Sequence, residues 1–248
     1  MNLELPGKSW PYLMAHRGNS TLCPENTLAA FRKAIEEGAD IVETDLHLTA
    51  DEAFVCIHDA TVDRTTDGSG AVAEMSLKEL KALHASYGRP GFADERILTL
   101  DELLAYVSGK CALALELKTD RFLEPEVCHA LVQKLSQAGM IGQVVVISFS
   151  LKQILAVQSA APELPIGLIG PQEAAPCPDV QLLGPTWPLL EKNPDYVARA
   201  HRQGQRVCPL DEESDSRLAI YQQMGCDVIL SNNPGETAKA MRALGLRN

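Results

Sequence analysis

The chain has 248 residues, 46% of them hydrophobic, which is enough to bury a sizeable core. Its formal net charge of −11 argues against a general binder of nucleic acid or of anionic membranes, because the long-range field would repel phosphate polymers. No apolar run approaches the roughly 18 residues of a membrane-spanning helix, and the first residues lack a secretory-signal pattern. Seven dispersed cysteines without zinc-like spacing favour reduced thiols, most of them small core residues, in a cytoplasmic protein.

Short β-rich runs alternate with amphipathic stretches along the chain. The runs that predict strands are YLMAH, DIVETDLHL, AFVCIH, CALALELK, QVVVISF, PIGLI, DVQLL, QRVCPL and CDVIL. Helices are predicted over residues 25–37, 100–107, 126–138, 151–160, 194–203, 213–224 and 235–244. Left-handed cap positions after several of these helices are occupied by Gly38, Gly139, Gly204 and Gly225. The alternation indicates repeated βα units.

Two α/β architectures fit this rhythm, a closed (β/α)8 TIM barrel of about 250 residues and an open doubly wound sheet. No Gly-x-Gly-x-x-Gly follows the first strand, so the closed barrel is favoured. Residues 59–99 interrupt the alternation with turn-rich TTDGSG and YGRPGFADE around a short helix, SLKELKALH. We therefore predict one TIM-barrel domain over residues 1–248, with a small insertion at 59–99 after the second strand.

Carboxylates share one side of two predicted strands. Glu43 and Asp45 alternate with apolar residues in IVETDLHL, and Glu116 and Lys118 do the same in LALELK. Ionised carboxylates are costly to bury without a partner, so this face requires a cation. Carboxylate oxygens suit Mg²⁺ or Ca²⁺ better than a thiolate-loving metal. Ion pairs with basic residues on neighbouring strands are the alternative explanation for each acid.

Basic residues follow two further predicted strands. His16 and Arg17 end the first, and His58 ends the third, so in a barrel all three converge with the carboxylates where active sites are built. Imidazoles can exchange protons near neutral pH, while Arg17 and Lys118 can bind phosphate. Taken alone, each histidine has a structural explanation, but together the groups predict metal-assisted phosphodiester cleavage. The remaining histidines lack such neighbours and are expected at the surface or in loops: His47, His84, His129 and His201.

The motifs HRG, PENT, E-x-D, HD, ELK and SF, in this order, resemble the glycerophosphodiester phosphodiesterase family in its short bacterial type, over about residues 15–234. The resemblance implies a (β/α)8 barrel that hydrolyses glycerophosphodiesters to an alcohol and sn-glycerol 3-phosphate with one divalent cation, Mg²⁺ or Ca²⁺. It implies His16 and His58 as acid and base, Glu43, Asp45 and Glu116 as metal ligands, and Arg17 and Lys118 as phosphate contacts. In the mechanism usually proposed for the family, the glycerol 2-hydroxyl attacks phosphorus and the resulting cyclic phosphate is then hydrolysed.

The substrate pocket is predicted from weaker matches. Glu25 and Asn26, in PENT, are expected to orient the basic pair, and Phe149 comes from SF. Family members usually carry a Trp-Thr-Val-Asn-like stretch on the seventh strand, whereas this chain has CPLD, beginning at Cys208. Trp187, near the sixth strand, is a candidate to supply the missing aromatic surface.

Other departures from the family pattern lie near strand ends. Ser231 and Asn232 stand where Thr-Asp is common, and Glu52 replaces an expected glycine. These changes leave the predicted metal ligands and proton-transfer groups in place, but they leave the alcohol preference open.

Three alternatives remain. A lysophospholipase D-like phosphodiesterase would have an apolar, aromatic rim on the insertion, where Tyr87 and Phe92 are the aromatic candidates. A barrel that has become a binding protein would lack a histidine or carboxylate, and none is missing. A metal-dependent amidohydrolase barrel would open with His-x-His, whereas this chain has His-Arg. We expect a small-molecule glycerophosphodiester as the partner; the oligomeric state cannot be predicted.

Overall fold

A computed structural model describes residues 3–86, 88–171, 173–211 and 213–247. Its strands are β1 Tyr12–Ala15, β2 Ile41–Leu48, β3 Phe54–Cys56, β4 Leu98–Thr99, β5 Ala112–Leu117, β6 Val144–Ser148, β7 Ile166–Gly170, β8 Leu182–Pro185, β9 Arg206–Val207 and β10 Val228–Ser231. Its helices are α1 Leu28–Glu36, α2 Leu77–Ala82, α3 Leu100–Val107, α4 Pro125–Gln137, α5 Leu151–Ala160, α6 Trp187–Lys192, α7 Tyr196–Arg202, α8 Leu218–Met224 and α9 Pro234–Ala243.

Eight parallel strands form the barrel, in the order β10-β1-β2-β5-β6-β7-β8-β9. The two ends of this order meet where the Asp227 N–H donates to the Val207 carbonyl oxygen at 2.9 Å. Helices follow most of these strands, because parallel neighbouring strands need a crossover connection, which is usually an α-helix. The predicted (β/α)8 barrel is confirmed.

The strands alternate between two apolar layers. On β2, Ile41 packs into the cluster that fills the barrel interior, while Val42 and Leu46 pack into the larger cluster between barrel and helices. On β5, Ala114 faces the interior cluster and Leu115 the outer one. Since side chains alternate along a strand, the acidic residues of β2 and β5 share the side of the interior residues.

The chain leaves the barrel between β2 and β5. β3 pairs antiparallel with β2, and β4 pairs antiparallel with β3. The segment has its own apolar cluster, formed by Val55, Ile57, Val62, Val72, Leu80, Ala85 and Ile97. The prediction that AFVCIH supplies a strand of the barrel was therefore wrong. This segment forms β3 of the hairpin, and His58 follows that strand. A strand of three residues carries no signal of its direction.

The predicted helices agree with the structure except in two places. α6 was not predicted; it begins at Trp187 with Pro188 in its first turn, a favoured position for proline. α8 begins five residues later than expected, after a 3₁₀ turn over Ser214–Arg217. All four predicted cap glycines have positive φ angles.

The cysteines are all free, six of them buried and Cys177 half-buried, as expected for reduced core residues. Among the described residues, no helix combines the length and apolar character needed to cross a bilayer.

Candidate active site

Three carboxylates converge inside the barrel. Asp45 and Glu116 are register partners on β2 and β5, and Glu43 lies two residues before Asp45 on the same side of β2. Each offers an oxygen within 4.8 Å of the others. All three side chains are buried, with exposed fractions of 2%, 0% and 6% for Glu43, Asp45 and Glu116. The structure therefore brings together the three acids that the sequence singled out.

Two oxygens of this cluster have no hydrogen-bond partner among the described residues. Oε1 of Glu43 and Oδ1 of Asp45 are buried and accept no hydrogen bond from the described residues. Burial, then repulsion by Asp45 and Glu116, raises the pKa of Glu43 well above its usual range. Burial and Asp45 likewise raise the pKa of Glu116. Buried oxygens that accept no hydrogen bond, and that belong to hard carboxylate ligands, fit a Mg²⁺- or Ca²⁺-sized dication.

Arg17 and Lys118 flank the cluster. Lys118 Nζ lies 2.8 Å from Glu116 Oε1 and 3.4 Å from Asp45 Oδ1. Arg17 Nε lies 3.4 Å from Asp45 Oδ2, and the Arg17 backbone N–H donates to Glu43 Oε2 at 2.9 Å. Burial opposes the charge of both cations, but the neighbouring acids outweigh it and raise the pKa of each. Both side chains therefore stay charged beside the acids.

The turn after β1 explains the glycine of HRG. Arg17 has a φ of 57° and Gly18 a φ of 79°, both in the left-handed region. A Cβ atom on Gly18 would lie 2.6 Å from the carbonyl carbon of Ala30 in α1. The close approach of α1 and the turn conformation together require glycine, and this turn presents Arg17 to the acids.

Asn26 of PENT positions Asp45. Its Nδ2 donates to Asp45 Oδ2 at 2.8 Å, and its Oδ1 accepts from Thr44 Oγ1 at 2.7 Å. The Asn26 backbone N–H donates to the Arg17 carbonyl oxygen at 3.1 Å. Asn26 therefore contacts Arg17 through its backbone, whereas its side-chain amide binds Asp45.

His58 belongs to a charged chain of contacts. Its Nδ1 lies 2.6 Å from Asp59 Oδ1, and Arg64 donates to both oxygens of Asp59, at 2.6 and 2.9 Å. Arg64 also donates to Glu25 at 2.8 and 3.0 Å, and Glu25 accepts from Arg17 at 3.2 Å. Hydrogen bonds from Arg64, then His58, hold the pKa of Asp59 below its usual range. Arg64 is a site residue that the sequence does not reveal; its only signal is its position five residues after HD.

The groups in these contacts carry more negative than positive charge. The carboxylates are Glu25, Glu43, Asp45, Asp59 and Glu116, and the permanent cations are Arg17, Arg64 and Lys118. Five acids against three cations leave two negative charges when all are ionised, which matches the charge of one divalent cation.

His16 lies at the β1–β10 junction and lines a cavity together with Glu43 and Glu116. Its backbone N–H donates to the Ser231 carbonyl oxygen at 2.8 Å, and its Nδ1 lies 2.8 Å from Asn232 Oδ1. Burial, then the positive charge of Arg17, lowers the pKa of His16. In the sequence, Asn232 is distinguished only as a departure from the family pattern.

His47 corrects another expectation. It is buried on β2, not exposed or in a loop, and its Nε2 lies 3.2 Å from the His58 carbonyl oxygen. The residue lies where β2 pairs with β3, so the hairpin covers it. Burial lowers the pKa of His47, which favours the neutral imidazole.

A small cavity adjoins the carboxylates. Its polar lining residues are His16, Glu43 and Glu116. The other lining residues are Met14, Ile147, Ile169, Leu182, Cys208, Pro209, Leu210 and Leu230. Cys208 therefore borders the cavity, where the family usually has an aromatic stretch.

The two aromatic candidates lie in different surroundings. Phe149 is 54% exposed, and its ring centroid lies 5.9 Å from Lys118 Nζ, at the edge of the charged groups. Trp187 is not among the residues that line the cavity; its ring lies edge-on to Tyr221 at 5.8 Å, with Arg217 over its face. The participation of Trp187 in a substrate pocket stays a prediction.

Fold and site together define a TIM-barrel protein with a buried acidic cluster, flanked by two histidines and two cations, at the carboxyl ends of its strands. The sequence model of the glycerophosphoryl diester phosphodiesterase family matches residues 16–236. The chain belongs to this family.

Individual relatives span nearly the whole chain. A glycerophosphodiester phosphodiesterase of Caldanaerobacter subterraneus is 34% identical over 244 residues, covering 94% of this chain and 98% of that protein. The crystal structure of an Agrobacterium tumefaciens glycerophosphodiester phosphodiesterase has a TM-score of 0.80 at 26% identity, over 92% of this chain and 99% of the other. An Oleispira antarctica phosphodiesterase, solved with its product sn-glycerol-3-phosphate, has a TM-score of 0.82 at 28% identity, over 94% and 97%.

Proposed function

We propose that this chain hydrolyses glycerophosphodiesters to an alcohol and sn-glycerol 3-phosphate, with one divalent cation bound by Glu43, Asp45 and Glu116. The observation that carries this proposal is the buried three-carboxylate cluster, in which two oxygens accept no hydrogen bond and near which both imidazoles lie. The product-bound Oleispira antarctica relative supports the substrate class. When bound, the cation would supply charge stabilisation at a phosphate oxygen and at a developing alkoxide.

Arg17 and Lys118 would bind the phosphate. Arg17 brings a planar fork of donors and Lys118 a compact point charge, and both already lie beside the acids. With the cation in place, the acids need these two side chains less, which frees their donors for the phosphate oxygens. Phe149, above Lys118, would cover one side of the bound substrate.

His16 and His58 would transfer the protons. One imidazole takes the proton of the attacking glycerol 2-hydroxyl, and the other donates a proton to the leaving alcohol oxygen. Hydrolysis of the cyclic phosphate reverses the two roles. Both Nδ1 atoms are engaged by Asn232 or Asp59, so Nε2 is the nitrogen that remains for exchange on each ring.

A substrate panel across metals tests the proposal. Release of sn-glycerol 3-phosphate from glycerophosphocholine and glycerophosphoethanolamine is measured after chelation, and then with Mg²⁺ or Ca²⁺ restored. We expect activity to disappear with chelator and to return with at least one of the two ions. Glycerol 3-phosphate release that is indifferent to chelation would contradict the metal role, and no release under any condition would contradict the activity.

The described part of the insertion gives no support to a lipid-specific phosphodiesterase. Its residues 59–86 and 88–99 expose no large apolar side chain. Phe92 packs against a small cluster containing Cys23 and Ala30, and Tyr87 lies outside the described residues. A non-catalytic binding protein is disfavoured because both histidines and all three acids are in place.

The remaining expectations belong to the same proposal. Residues 1–248 would form one phosphodiesterase domain, with residues 59–99 as an insertion in it. The protein would act in the cytoplasm on a small molecule and not on nucleic acid, consistent with its net charge of −11.

A further inference from the structure

The two candidate proton-transfer residues have chemically different partners. His58 Nδ1 lies 2.6 Å from a carboxylate oxygen of Asp59, which also accepts two hydrogen bonds from Arg64. His16 Nδ1 lies 2.8 Å from the amide oxygen of Asn232. A carboxylate stabilises an imidazolium, whereas a neutral amide orients the ring without adding charge.

Asn232 is held firmly in this position. It is the first residue after β10, and His16 is the first residue after the neighbouring strand β1, with Ala15 and Ser231 in register. The Asn232 carbonyl oxygen accepts from the Thr21 N–H at 3.0 Å, so the loop after β1 fixes the backbone on one side.

The residues around Asn232 complete this support. The Asn233 N–H donates to Ser231 Oγ at 2.9 Å, and Ser20 Oγ donates to Asn232 Oδ1 at 3.2 Å. With Oδ1 facing the ring, the Ser20 hydroxyl and an Nδ1–H of His16 can both donate to it.

We propose that Asn232 is the positioning residue for His16: its amide oxygen accepts the Nδ1–H of the imidazole and fixes the neutral ring with its lone pair on Nε2. This inference deepens the proposed function and rests on it. The two imidazoles therefore differ in the partner of Nδ1, which is a carboxylate for His58 and a neutral amide for His16. Asn232 thereby makes one histidine of the pair a ready proton acceptor.

Other charged groups around His16 do not remove this asymmetry. Arg17 disfavours the imidazolium, while Asp45 and Glu25 favour it. Glu43 and Glu116 line the same cavity. A bound dication would offset the acids of the cluster, which leaves the neutral Asn232 amide as the direct partner of the ring.

Nitrogen NMR of the wild-type protein tests the tautomer without any assay of activity. Long-range ¹H–¹⁵N spectra of ring-labelled protein, assigned with His16→Gln, distinguish Nδ1–H from Nε2–H rings. We expect His16 to be neutral near pH 7 with its proton on Nδ1. A neutral Nε2–H ring would overturn the inference, and this arm stands even if no phosphodiesterase activity is found.

Substitution separates positioning from simple structural support. Asn232→Ala should lower kcat by about 100-fold with little change in KM, because the ring loses its orientation. Asn232→Asp should restore much of kcat and move one limb of the pH profile up by about one unit, since the ring gains an anionic partner. Thermal unfolding of both variants with and without cation checks that the fold and the cation site persist.

Asn233→Asp is the matched control, because it adds the same charge one residue away. Its pH profile should shift much less than that of Asn232→Asp. Equal shifts of the pH profile in both variants would mean that any nearby negative charge has the same effect. A wild-type kcat in Asn232→Ala would show that Asn232 does not position His16. Either result overturns the inference.

Discussion

The barrel cavity has two walls of opposite character. The charged wall consists of Glu43 from β2, Glu116 from β5 and His16, which directly follows β1, with Asp45 grouped beside the two glutamates. The aliphatic wall consists of Ile169, Leu182, Cys208 and Leu230, from the strands β7 to β10 and the residue after β9. The charged wall holds buried oxygens without hydrogen-bond partners, whereas the aliphatic wall is part of the apolar interior cluster.

The two walls therefore contribute differently to the protein, the charged wall to chemistry and the aliphatic wall to stability. Burying like charges costs free energy, so the charged wall persists because the rest of the barrel stabilises it. The aliphatic wall contributes that stability through burial of apolar surface. Changes to the charged wall should therefore affect chemistry and cation binding first, and changes to the aliphatic wall should affect unfolding first.

The largest effect is expected from Glu43→Gln. The variant keeps an acceptor for the Arg17 N–H but removes one charge from the cation ligands. Turnover should fall by about 10⁴-fold, since several kcal/mol of charge stabilisation depend on the bound ion. The cation-free variant should melt a few degrees higher than wild type, and its melting temperature should no longer rise with added cation.

Glu191→Gln, at an exposed position of α6, is the control for that experiment. It should keep turnover and the cation-dependent rise in melting temperature. A Glu43→Gln protein that is still stabilised by cation to the wild-type extent would place the ion elsewhere.

Somewhat smaller losses are expected from removing an imidazole. His16→Ala and His58→Ala should each lower turnover by about 10³-fold, the range of general acid or base catalysis, while the fold and the cation response are retained. His129→Ala, on the exposed face of α4, should keep the wild-type rate. Near-wild-type turnover in either active-site variant would remove that histidine from proton transfer.

The aliphatic wall should respond in the opposite way. Leu182 is buried in the interior cluster, so Leu182→Ala should lower the free energy of unfolding by about 2–4 kcal/mol in urea titrations. The dissociation constant for the cation should change little. Ile220→Ala, at an exposed position of α8, should cost under about 0.5 kcal/mol. A large change in cation affinity in Leu182→Ala would show that the walls are not separable.

The smallest effect concerns pH. Glu43 and Glu116 have raised pKa values in the cation-free fold, so the fold binds their protons more tightly than the unfolded chain does. Their contribution to stability is present at acid pH and is lost as pH rises through the raised values.

Melting curves of cation-free wild type and Glu43→Gln across the acid and neutral range measure this effect. We expect wild type to lose on the order of 1 kcal/mol more than the variant as pH rises above the ordinary glutamate range. Saturating cation should weaken this pH dependence, because ligation requires the ionised acids. Parallel curves for the two proteins would contradict the raised pKa of Glu43.

The charged wall could be predicted from local sequence because it breaks a rule. An apolar strand buried on both faces should not carry acids, yet Glu43, Asp45 and Glu116 occur at period-two positions in such strands. The period assigns them to one side, and the barrel interpretation brings the two strands together. Only the relative position of β2 and β5 was needed to predict that the three acids lie together.

The contacts that orient the histidines could not be predicted in the same way. The direction of β3 depends on pairing and not on its three residues, so the hairpin position of His58 was hidden. Arg64 binds Asp59 and also Glu25, which lies 39 residues before Arg64 in the sequence. Asn232 meets His16 only because the last strand, β10, pairs with the first, β1. Local patterns contain no information on these partners.

The contact between His16 and Asn232 joins positions 216 residues apart. During translation, the ribosome therefore produces every proposed metal ligand and both imidazoles long before the amide that orients the first of them. A nascent polypeptide that ends before β10 has the chemical groups but not their arrangement. Competence should arise late and abruptly in synthesis, when the final βα unit docks.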